Sequence, residues 1–262
     1  MQVTGTELKN LQALLTKKGR RRQGRFLAEG IRLLEESLRH SFRPDEVFYA
    51  PADLSARGRE LAARFRAARV PCRELSVRQL SKLADTPAPQ GIVGVFTIPR
   101  IDPAELCARR HRTILVCENV ADPGNLGTLL RSALAFGFRL VVTVGTTAEP
   151  FAPKVVRSSA GAVFGVRIAA ADCDTLARLV ASEGITLLAA GRGGTQTLSE
   201  SLRPDPAARY ALAVGSEAEG LSDRMRALAA CTVRVAHAPE VESLNAAVAG
   251  SILMKGIYDS LS

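Results

Sequence analysis

Several features are scarce or missing in this chain of 262 residues, and each absence excludes a class of protein. No apolar run approaches the roughly 18 residues that a membrane-spanning helix requires, so we expect no transmembrane helix. The first residues, MQVTGTELKNLQALLTKKGRRRQGRF, contain no apolar core segment, so we expect no secretory signal. Their arginine content leaves a transit peptide as an alternative, although the stretch runs without a break into a helical pattern.

Cysteine and histidine are few, and their spacing indicates neither disulfides nor a metal site. The five cysteines are odd in number and form no C-x-x-C pair. This pattern is typical of free thiols in a reducing cytoplasm rather than of a disulfide framework. Cys107 and His111 lie four residues apart, but no second pair completes a zinc site. We therefore expect a cytoplasmic protein without a bound metal.

The excess of positive charge is confined to the first part of the chain. Residues 1–110 hold 21 Lys and Arg against 12 Asp and Glu, whereas residues 111–262 hold 14 of each, so the formal net charge of +9 lies in the first part. The charges fall in two runs, which are Lys9, Lys17, Lys18, Arg20, Arg21, Arg22 and Arg25, and then Arg57, Arg59, Arg64, Arg66, Arg69 and Arg73. This asymmetry favours a nucleic-acid partner, with a solvated basic helix face as the alternative.

Residues 1–97 have the pattern of a small α+β domain. The predicted elements are a helix over 27–38, a strand over 45–50, a basic amphipathic helix over 54–70 and a strand over 90–98. The first helix is inferred from Leu27, Ile31 and Leu34, which recur on one helical face. Residues 98–112 predict a linker that contains a short helix.

Residues 113–262 alternate between short apolar runs and helical patterns. The runs are TILVC at 113–117, RLVVTV at 139–144, VFGVRIA at 163–169, ITLLAA at 185–190, YALAVG at 210–215 and TVRVA at 232–236. Continuous apolar runs are typical of buried parallel strands, and their alternation with helices predicts a parallel α/β sheet. Ligands in such sheets bind outside the carboxyl ends of the strands.

Three segments place small or polar residues at such strand ends. In the first, NVADPGNLGTLLR, residues 122–124 predict a turn, and Asn125 is the expected N-cap of the next helix. Arg131 falls outside the apolar stripe of that helix, in its second turn, where the helix dipole does not stabilise a cation. We therefore expect a phosphate or carboxylate partner for Arg131, with an ordinary surface arginine as the alternative.

The second and third segments are GSEAEG at 215–220 and VESLNAAVAGSILM at 241–254. The glycines of the second allow close backbone approach, but neither a phosphate loop nor a dinucleotide fingerprint is present, which argues against a nucleotide-binding oxidoreductase. In the third, Ser243 can cap a helix with Val248 and Ile252 facing inward. The many small residues of this helix suit either a flat ligand or plain close packing.

Together these segments resemble the three signature motifs of the SpoU (TrmH-type) RNA 2′-O-ribose methyltransferases. The matching patterns are N-x-x-D-P-x-N-L-G-x-x-x-R, G-S-E-x-x-G and V-E-S-L-N, in this order, and the resemblance covers most of residues 113–262. Residues 1–97, chiefly RRQGRFLAEGIRLLEESL, resemble the substrate-binding domain that precedes many of these enzymes. That domain is similar to the fold of ribosomal proteins that bind kink-turn RNA.

The resemblance implies a fold and a set of partners. The expected fold is a small α+β RNA-binding domain over 1–97, a linker over 98–112, and a parallel-sheet α/β methyltransferase domain over 113–262 with a C-terminal trefoil knot. The expected cofactor is S-adenosylmethionine, and a homodimer would complete each active site. Ribosomal RNA is the expected substrate. Transfer RNA, base methylation and a non-catalytic knotted RNA-binding dimer remain alternatives.

The resemblance also assigns residues to roles. The implied cofactor-binding residues are Ala189, Ala190, Gly191, Val214, Gly215, Glu217, Val235, Ala236, Ser243, Leu244 and Asn245. The implied catalytic residues are Arg131, Asn125, Glu217, Ser243 and Asn245. The implied RNA-binding residues are Lys17, Lys18, Arg20, Arg21, Arg22 and Arg25. A further family segment suggests Lys154, Arg157 and Ser159 as contacts to RNA or to the dimer partner.

In this scheme Arg131 is the residue that acts directly on the reacting groups. The resemblance gives it the activation of the 2′-hydroxyl, but an arginine is effectively always protonated. We therefore expect it to grip the neighbouring phosphate and to stabilise the forming alkoxide. Glu217 is expected to hold either Arg131 or Asn245, and Ser243 and Asn245 to bridge the cofactor and the catalytic groups.

Overall fold

The computed structural model describes residues 3–101, 111–191, 193–194, 196–202, 205 and 207–261. Most of the predicted linker, including Cys107, lies outside these residues. The chain groups into two compact units, the first made of Met1–Pro99 with Glu149–Gly165 and the second of Arg100–Ala148 with Val166–Ser262. The bounds expected from sequence place residues 149–165 in the methyltransferase domain over 113–262, whereas the structure groups them with the first unit.

The first unit is built on a four-stranded mixed sheet. Its elements from the N-terminal segment are α1 (Gly5–Ala13), α2 (Lys17–Gln23), β1 (Arg25–Glu29), α3 (Ile31–Arg39), β2 (Glu46–Tyr49), α4 (Ala56–Ala67), β3 (Cys72–Glu74), α5 (Val77–Leu80) and β4 (Ile92–Thr97). The strand order is β1-β4-β2-β3, with β4 antiparallel to both neighbours and β3 parallel to β2.

The predicted helix over 27–38 was wrong in its first residues. Leu27 belongs to β1 and pairs with Val95 of β4, and the helix starts only at Ile31. Gly30 separates the two elements with a φ of 104°, a conformation that residues with a side chain rarely adopt. Leu27 and Leu34 are both buried, as their apolar spacing predicts, but Leu27 lies on a strand and Leu34 on a helix.

The second half of the chain supplies the remaining elements. They are β5 (Thr113–Glu118), α6 (Pro123–Ala135), β6 (Leu140–Val144), α7 (Pro153–Ser158), β7 (Arg167–Ala170), α8 (Cys173–Glu183), β8 (Ile185–Ala190), α9 (Leu198–Ser201), β9 (Arg209–Val214), α10 (Asp223–Leu228), β10 (Cys231–Val233) and α11 (Ala246–Leu261). All except α7 belong to the second unit.

The second unit contains a six-stranded sheet in the order β10-β8-β9-β5-β6-β7, and every pair in it is parallel. The parallel α/β prediction is therefore confirmed. One predicted run was placed too early, because residues 162–164 form a short 3₁₀ turn and β7 starts at Arg167. Since the strands are parallel, the segments that follow β5, β8, β9 and β10 all leave from the same edge.

Residues 149–165 complete the core of the first unit. Five aromatic rings pack together with centroid separations of 4.8–6.3 Å, and they belong to Phe26, Phe42, Phe96, Phe151 and Phe164. Three of these residues precede residue 100, and two come from the segment between β6 and β7. The first unit therefore takes part of its apolar core from a distant stretch of the chain.

Across the described residues, no helix combines the length and the apolar character that crossing a bilayer demands.

Candidate functional site

The first motif forms the turn between β5 and α6. Asp122 is the N-cap of α6, and its carboxylate accepts a hydrogen bond from the backbone N–H of Asn125 at 2.8 Å. Pro123 occupies the first turn, where its missing N–H costs nothing. The expectation that Asn125 is the cap was therefore wrong by three residues. Because Asp122 caps the helix, the side chain of Asn125 is available for other contacts.

The side chains of Asn125, Glu217 and Asn245 bring the three motifs together. Oε1 of Glu217 accepts hydrogen bonds from Nδ2 of Asn125, at 2.8 Å, and from Nδ2 of Asn245. Nδ2 of Asn245 also donates to Oδ1 of Asn125 at 3.1 Å. The three groups thus form a closed triangle, with one corner from each motif. The alternative that Glu217 holds Arg131 was wrong, since its observed partners are the two asparagines.

Asn245 also caps α11. Its Oδ1 accepts from the backbone N–H groups of Ala247, at 2.9 Å, and Val248, at 3.1 Å. The cap expected at Ser243 is therefore displaced by two residues. The orientation of the helix also differs from expectation, because Val248 and Ile252 are 45% and 47% exposed instead of facing inward.

Among the small residues of α11, Gly250 packs closely against neighbouring elements, whereas Ala246 and Ala249 line a nearby cavity. A Cβ atom added to Gly250 would lie 2.8 Å from Cδ2 of Leu129 on α6 and 3.0 Å from Cγ2 of Val214 on β9. A side chain at this position would require the Leu129 and Val214 side chains to shift. The sequence left a flat ligand or close packing as explanations for the small residues, and at Gly250 the explanation is close packing.

A cavity of about 1130 Å³ opens beside the triangle of Asn125, Glu217 and Asn245, and it is lined by the second and third motifs together with the segments that follow β8 and β10. Ten of the eleven residues expected to bind the cofactor line it, and these are Ala189, Ala190, Gly191, Val214, Gly215, Glu217, Val235, Ala236, Ser243 and Leu244. Asn245 is the exception, and it lies next to the cavity through its hydrogen bond to Glu217. Sequence reasoning missed other lining residues, among them Leu221, Arg226, Arg234, His237 and Leu253.

The second motif forms a closed loop on the wall of this cavity. The backbones of Ser216 and Gly220 exchange two hydrogen bonds of 3.1 Å. A Cβ atom on Gly215 would lie 2.2 Å from the carbonyl carbon of Gly220, so no side chain fits there. Gly220 itself has a φ of 69°. Both glycines are therefore required for the conformation that presents Glu217 to the two asparagines.

Arg131 lies exposed on α6. Within the described part of the chain, no hydrogen bond or ion pair engages its guanidinium. Its charge is therefore not neutralised by a neighbouring carboxylate, and the guanidinium is available to an external anion.

Helix α2 carries most of the residues expected to bind RNA. Lys17, Lys18, Arg21 and Arg22 are exposed, whereas Arg25 is half-buried and lies 3.5 Å from a carboxylate oxygen of Asp45. Arg20 requires a correction, because it is only 3% exposed. Its guanidinium donates to the carbonyl of Leu14 at 2.8 Å and to Glu149 at 2.7 Å. Arg20 therefore has a structural role in the first unit and does not belong to the exposed basic surface.

Three arginines of the second basic run have acidic or aromatic neighbours. Nε of Arg57 donates to Glu35 at 2.7 Å, and this hydrogen bond holds the pKa of Glu35 below its ordinary value. Arg73 forms salt bridges with two glutamates, and the guanidinium of Arg66 lies over the ring of Tyr49 at 5.0 Å. The other three arginines of this run are exposed and form no salt bridge among the described residues, so they join the exposed cations of α2 as candidates for contact with a polyanion. They are Arg59, Arg64 and Arg69.

The family segment around α7 was also misjudged in part. Ser159 is fully buried and donates to the carbonyl of Val156, so it cannot contact RNA or a second copy. Arg157 forms a salt bridge with Asp85 within the first unit. Lys154 is exposed, as expected.

In the described ranges, no group of three or more His, Cys, Asp and Glu side chains is placed to hold a metal ion. The thiol of Cys117, at the end of β5, is fully buried, and this burial raises its pKa to about 12.

Comparison with known proteins identifies relatives of both halves of the chain. Residues 112–255 match the SpoU rRNA Methylase family, and residues 6–94 match the MRM3-like substrate binding domain. An uncharacterized tRNA/rRNA methyltransferase of Synechocystis sp. is 33% identical, over 96% of this chain and 91% of the relative. The 23S rRNA (guanosine(2553)-2'-O)-methyltransferase RlmP of Bacillus subtilis is 28% identical, over 95% of this chain and 94% of the relative. The crystal structure of an AdoMet-bound rRNA methyltransferase from Sinorhizobium meliloti superposes with a TM-score of 0.85 at 26% identity, covering 100% of this chain and 97% of that one.

Proposed function

Because the chain belongs to the SpoU rRNA methylase family, we propose that it transfers a methyl group from S-adenosylmethionine to a ribose 2′-hydroxyl of ribosomal RNA. The observation that carries the proposal is the triangle of Asn125, Glu217 and Asn245, which joins the three motifs by hydrogen bonds beside a cavity lined by the second and third motifs. The Bacillus subtilis relative is named for this reaction on 23S rRNA, which favours ribosomal over transfer RNA. We propose the cytoplasm as the compartment, because this relative, of which the chain covers 94%, is bacterial.

The cavity has the size and lining that this cofactor needs. Ligand pockets are commonly about 300–1,000 Å³, and this one, at about 1130 Å³, leaves room for a nucleoside and more. Small and apolar residues on its wall, such as Gly191, Val214 and Leu244, suit a flat adenine ring. The wall also carries carboxylates and guanidiniums, including Glu242 and Arg234, which suit the charged amino-acid end. We assign the cofactor to the lining residues of the second and third motifs and of the segments that follow β8 and β10.

When bound, the cofactor would supply a methyl group on a sulfonium: the ribose 2′-oxygen would form a bond to the methyl carbon while the carbon–sulfur bond breaks and a neutral thioether leaves. The protein must hold the 2′-hydroxyl in line with that methyl group, and positioning of this kind is a major contribution to catalysis. The triangle of Asn125, Glu217 and Asn245 fixes the walls of the site, since each member is held by the other two. Ser243 and Asn245 lie at the junction between the cavity and this triangle.

Arg131 is the group that we assign to the transition state. Its charge has no internal partner in the described part of the chain, so it can bind a phosphate oxygen next to the target ribose. As the hydroxyl loses its proton, negative charge grows on the 2′-oxygen, and a fixed guanidinium stabilises it. Because arginine remains protonated in proteins, its contribution is electrostatic and not that of a general base.

RNA binding is assigned to the exposed cations of α2. Lys17, Lys18, Arg21 and Arg22 have the exposure that phosphate contacts require, whereas Arg20 is buried. Contacts between cations and phosphates are independent of sequence, so this helix would anchor the RNA while the site around Arg131 selects the ribose.

We further propose that the protein is a homodimer with a trefoil knot in its C-terminal region, as the resemblance implies. Val248, Ile252 and Tyr258 of α11 are 44–47% exposed, and such large apolar side chains on one helix suit a buried interface. A second copy of the chain would cover them.

The function is tested by transfer of tritiated methyl from S-adenosylmethionine to unmodified ribosomal RNA, with transfer RNA in parallel. We expect incorporation into ribosomal RNA. In Arg131→Ala we expect kcat to fall by about 10² or more, because one electrostatic contact to the transition state is lost. Calorimetric affinity for the cofactor should stay within a factor of two. Near-full activity of Arg131→Ala would remove its assignment, and failure of the unmodified protein to bind the cofactor would favour the non-catalytic scaffold.

A further inference from the structure

Glu118 is a buried carboxylate that the proposed chemistry does not use. It is the last residue of β5 and only 3% exposed. In the described ranges no Lys, Arg or His forms a salt bridge with it. Burying a carboxylate without a neighbouring cation is costly unless hydrogen bonds compensate it. The residues that donate hydrogen bonds to Glu118 therefore identify the part of the structure that it fixes.

Those hydrogen bonds come chiefly from one residue. Oε2 of Glu118 accepts from the backbone N–H of Ser222 at 2.8 Å, and Oε1 accepts from the Ser222 hydroxyl at 2.7 Å. The thiol of Cys173 is a weak additional donor to Oε1 at 3.8 Å. Ser222 is in turn the N-cap of α10, since its hydroxyl accepts from the backbone N–H of Met225 at 3.1 Å. Glu118 therefore grips the residue at which the second-motif loop ends and α10 begins.

The two loops that meet at the site are thus tied together twice. The first loop runs from Glu118 to Asn125 and the second from Gly215 to Ser222. At one end Glu118 binds Ser222, and at the other Asn125 binds Glu217. With both ends fixed, the second loop has little freedom to slide along the first.

We propose that Glu118 is a positioning residue for methyl transfer. By fixing Ser222, it holds the loop 215–222 in the place where Glu217 reaches Asn125 and Asn245 and where Gly215 lines the cavity. The inference rests on the proposed function, because the loop it positions is assigned to the cofactor. A displacement of about 1 Å at a reacting group can lower the rate by 10²-fold, so a residue that never touches the substrate can matter this much.

The test compares Glu118→Ala with a matched control on the same strand. Thr113 begins β5, is 7% exposed, and donates from its hydroxyl to the carbonyl of Gly137 at 3.2 Å. Thr113→Val removes a buried hydrogen bond at the opposite end of β5 from the site. Thermal unfolding, cofactor affinity by calorimetry, RNA affinity, and kcat on ribosomal RNA are measured for both variants.

We expect Glu118→Ala to weaken cofactor binding by about 10- to 100-fold, by analogy with the loss of a hydrogen-bond partner that orients a ligand of a metal site. Its kcat should fall as well, while RNA affinity stays within a factor of two. Thr113→Val should lower the midpoint of thermal unfolding with no change in cofactor affinity. If both variants lose stability and neither loses cofactor affinity, Glu118 is only structural and the proposal is wrong.

Two further variants keep the test decisive if Glu118→Ala does not fold. Glu118→Gln retains an acceptor for the Ser222 N–H, and its amide can donate to the Ser222 hydroxyl, so we expect partial rescue. Ser222→Ala removes one hydrogen bond to Glu118 and also a helix cap. Asp172→Ala, which removes the cap of α8, is the control for the cap alone. Equal cofactor affinity in Ser222→Ala and Asp172→Ala would contradict the proposal.

The failure of this inference is distinct from failure of the proposed function. If the unmodified protein neither binds the cofactor nor methylates RNA, the function is wrong. If the unmodified protein does both and Glu118→Ala matches it, the function stands and the positioning role is lost.

Discussion

Substitution of Phe164 by alanine tests whether residues 149–165 hold the first unit together. Phe164 is 5% exposed, and its ring centroid lies 5.1 Å from that of Phe96, 5.4 Å from that of Phe42 and 6.3 Å from that of Phe26. Removing a buried phenylalanine ring costs about 3–5 kcal/mol, which combines lost burial with the cavity left behind. Because the aromatic neighbours of Phe164 belong to the first unit, we expect Phe164→Ala to lower the free energy of unfolding of that unit.

Hydrogen exchange followed by mass spectrometry reports the loss locally. A cost of about 3–5 kcal/mol corresponds to roughly two to three and a half orders of magnitude in the opening equilibrium. We therefore expect amides of β1 and β4 in Phe164→Ala to exchange faster by up to that factor, while amides of β5 and β9 keep their protection.

A matched variant in the second unit provides the control. Phe138 is fully buried in that unit, and Phe138→Ala should produce the opposite pattern, with faster exchange in β5 and β6. If Phe164→Ala leaves β1 and β4 protected, or opens β6 and β7 instead, the aromatic cluster does not stabilise the first unit and the reasoning fails.

Three other predictions follow from the site and the basic helix. Replacing Arg21 and Arg22 with glutamine should weaken RNA binding and reduce the slope of log affinity against log salt concentration by about one to two units. Arg57 is already bound to a carboxylate, so Arg57→Gln should change this slope little. Equal slopes in the two variants would contradict the assignment of RNA binding to α2. Gly215→Ala should abolish cofactor binding in calorimetry, because the new Cβ would clash with the backbone of its own loop, and unchanged affinity would show that the loop is not needed. Since burial raises the pKa of Cys117 to about 12, its thiol should stay protonated and escape iodoacetamide at pH 8 until the protein is denatured; rapid labelling in the native state would contradict its burial.

The strands of the second unit are well predicted from sequence because they are buried on both faces and therefore appear as continuous apolar runs. The runs at 113–117, 185–190 and 210–215 coincide with β5, β8 and β9 to within a residue at either end. The caps were less predictable. The dipeptide Asp122-Pro123 carries a cap signal, with a proline in the first helical turn, but Asn125 is an equally good capping type.

Long-range contacts account for what the sequence could not predict. Arg20 lies in a run of basic residues, and only the fold reveals that Glu149, 129 residues away, neutralises it. The same holds for Phe151 and Phe164, whose aromatic partners precede residue 100. The meeting of Asn125, Glu217 and Asn245 follows from the family motifs, but their mutual hydrogen bonds required coordinates.

The identity of the methylated atom tests the central claim most directly. Unmodified ribosomal RNA is incubated with the protein and labelled S-adenosylmethionine, digested to nucleosides and analysed by mass spectrometry, with transfer RNA treated in the same way. Our account predicts a nucleoside with the label on its ribose 2′-oxygen, from ribosomal RNA and not from transfer RNA. A nucleoside with the label on its base would contradict the proposed chemistry, and a product from transfer RNA alone would contradict the proposed substrate.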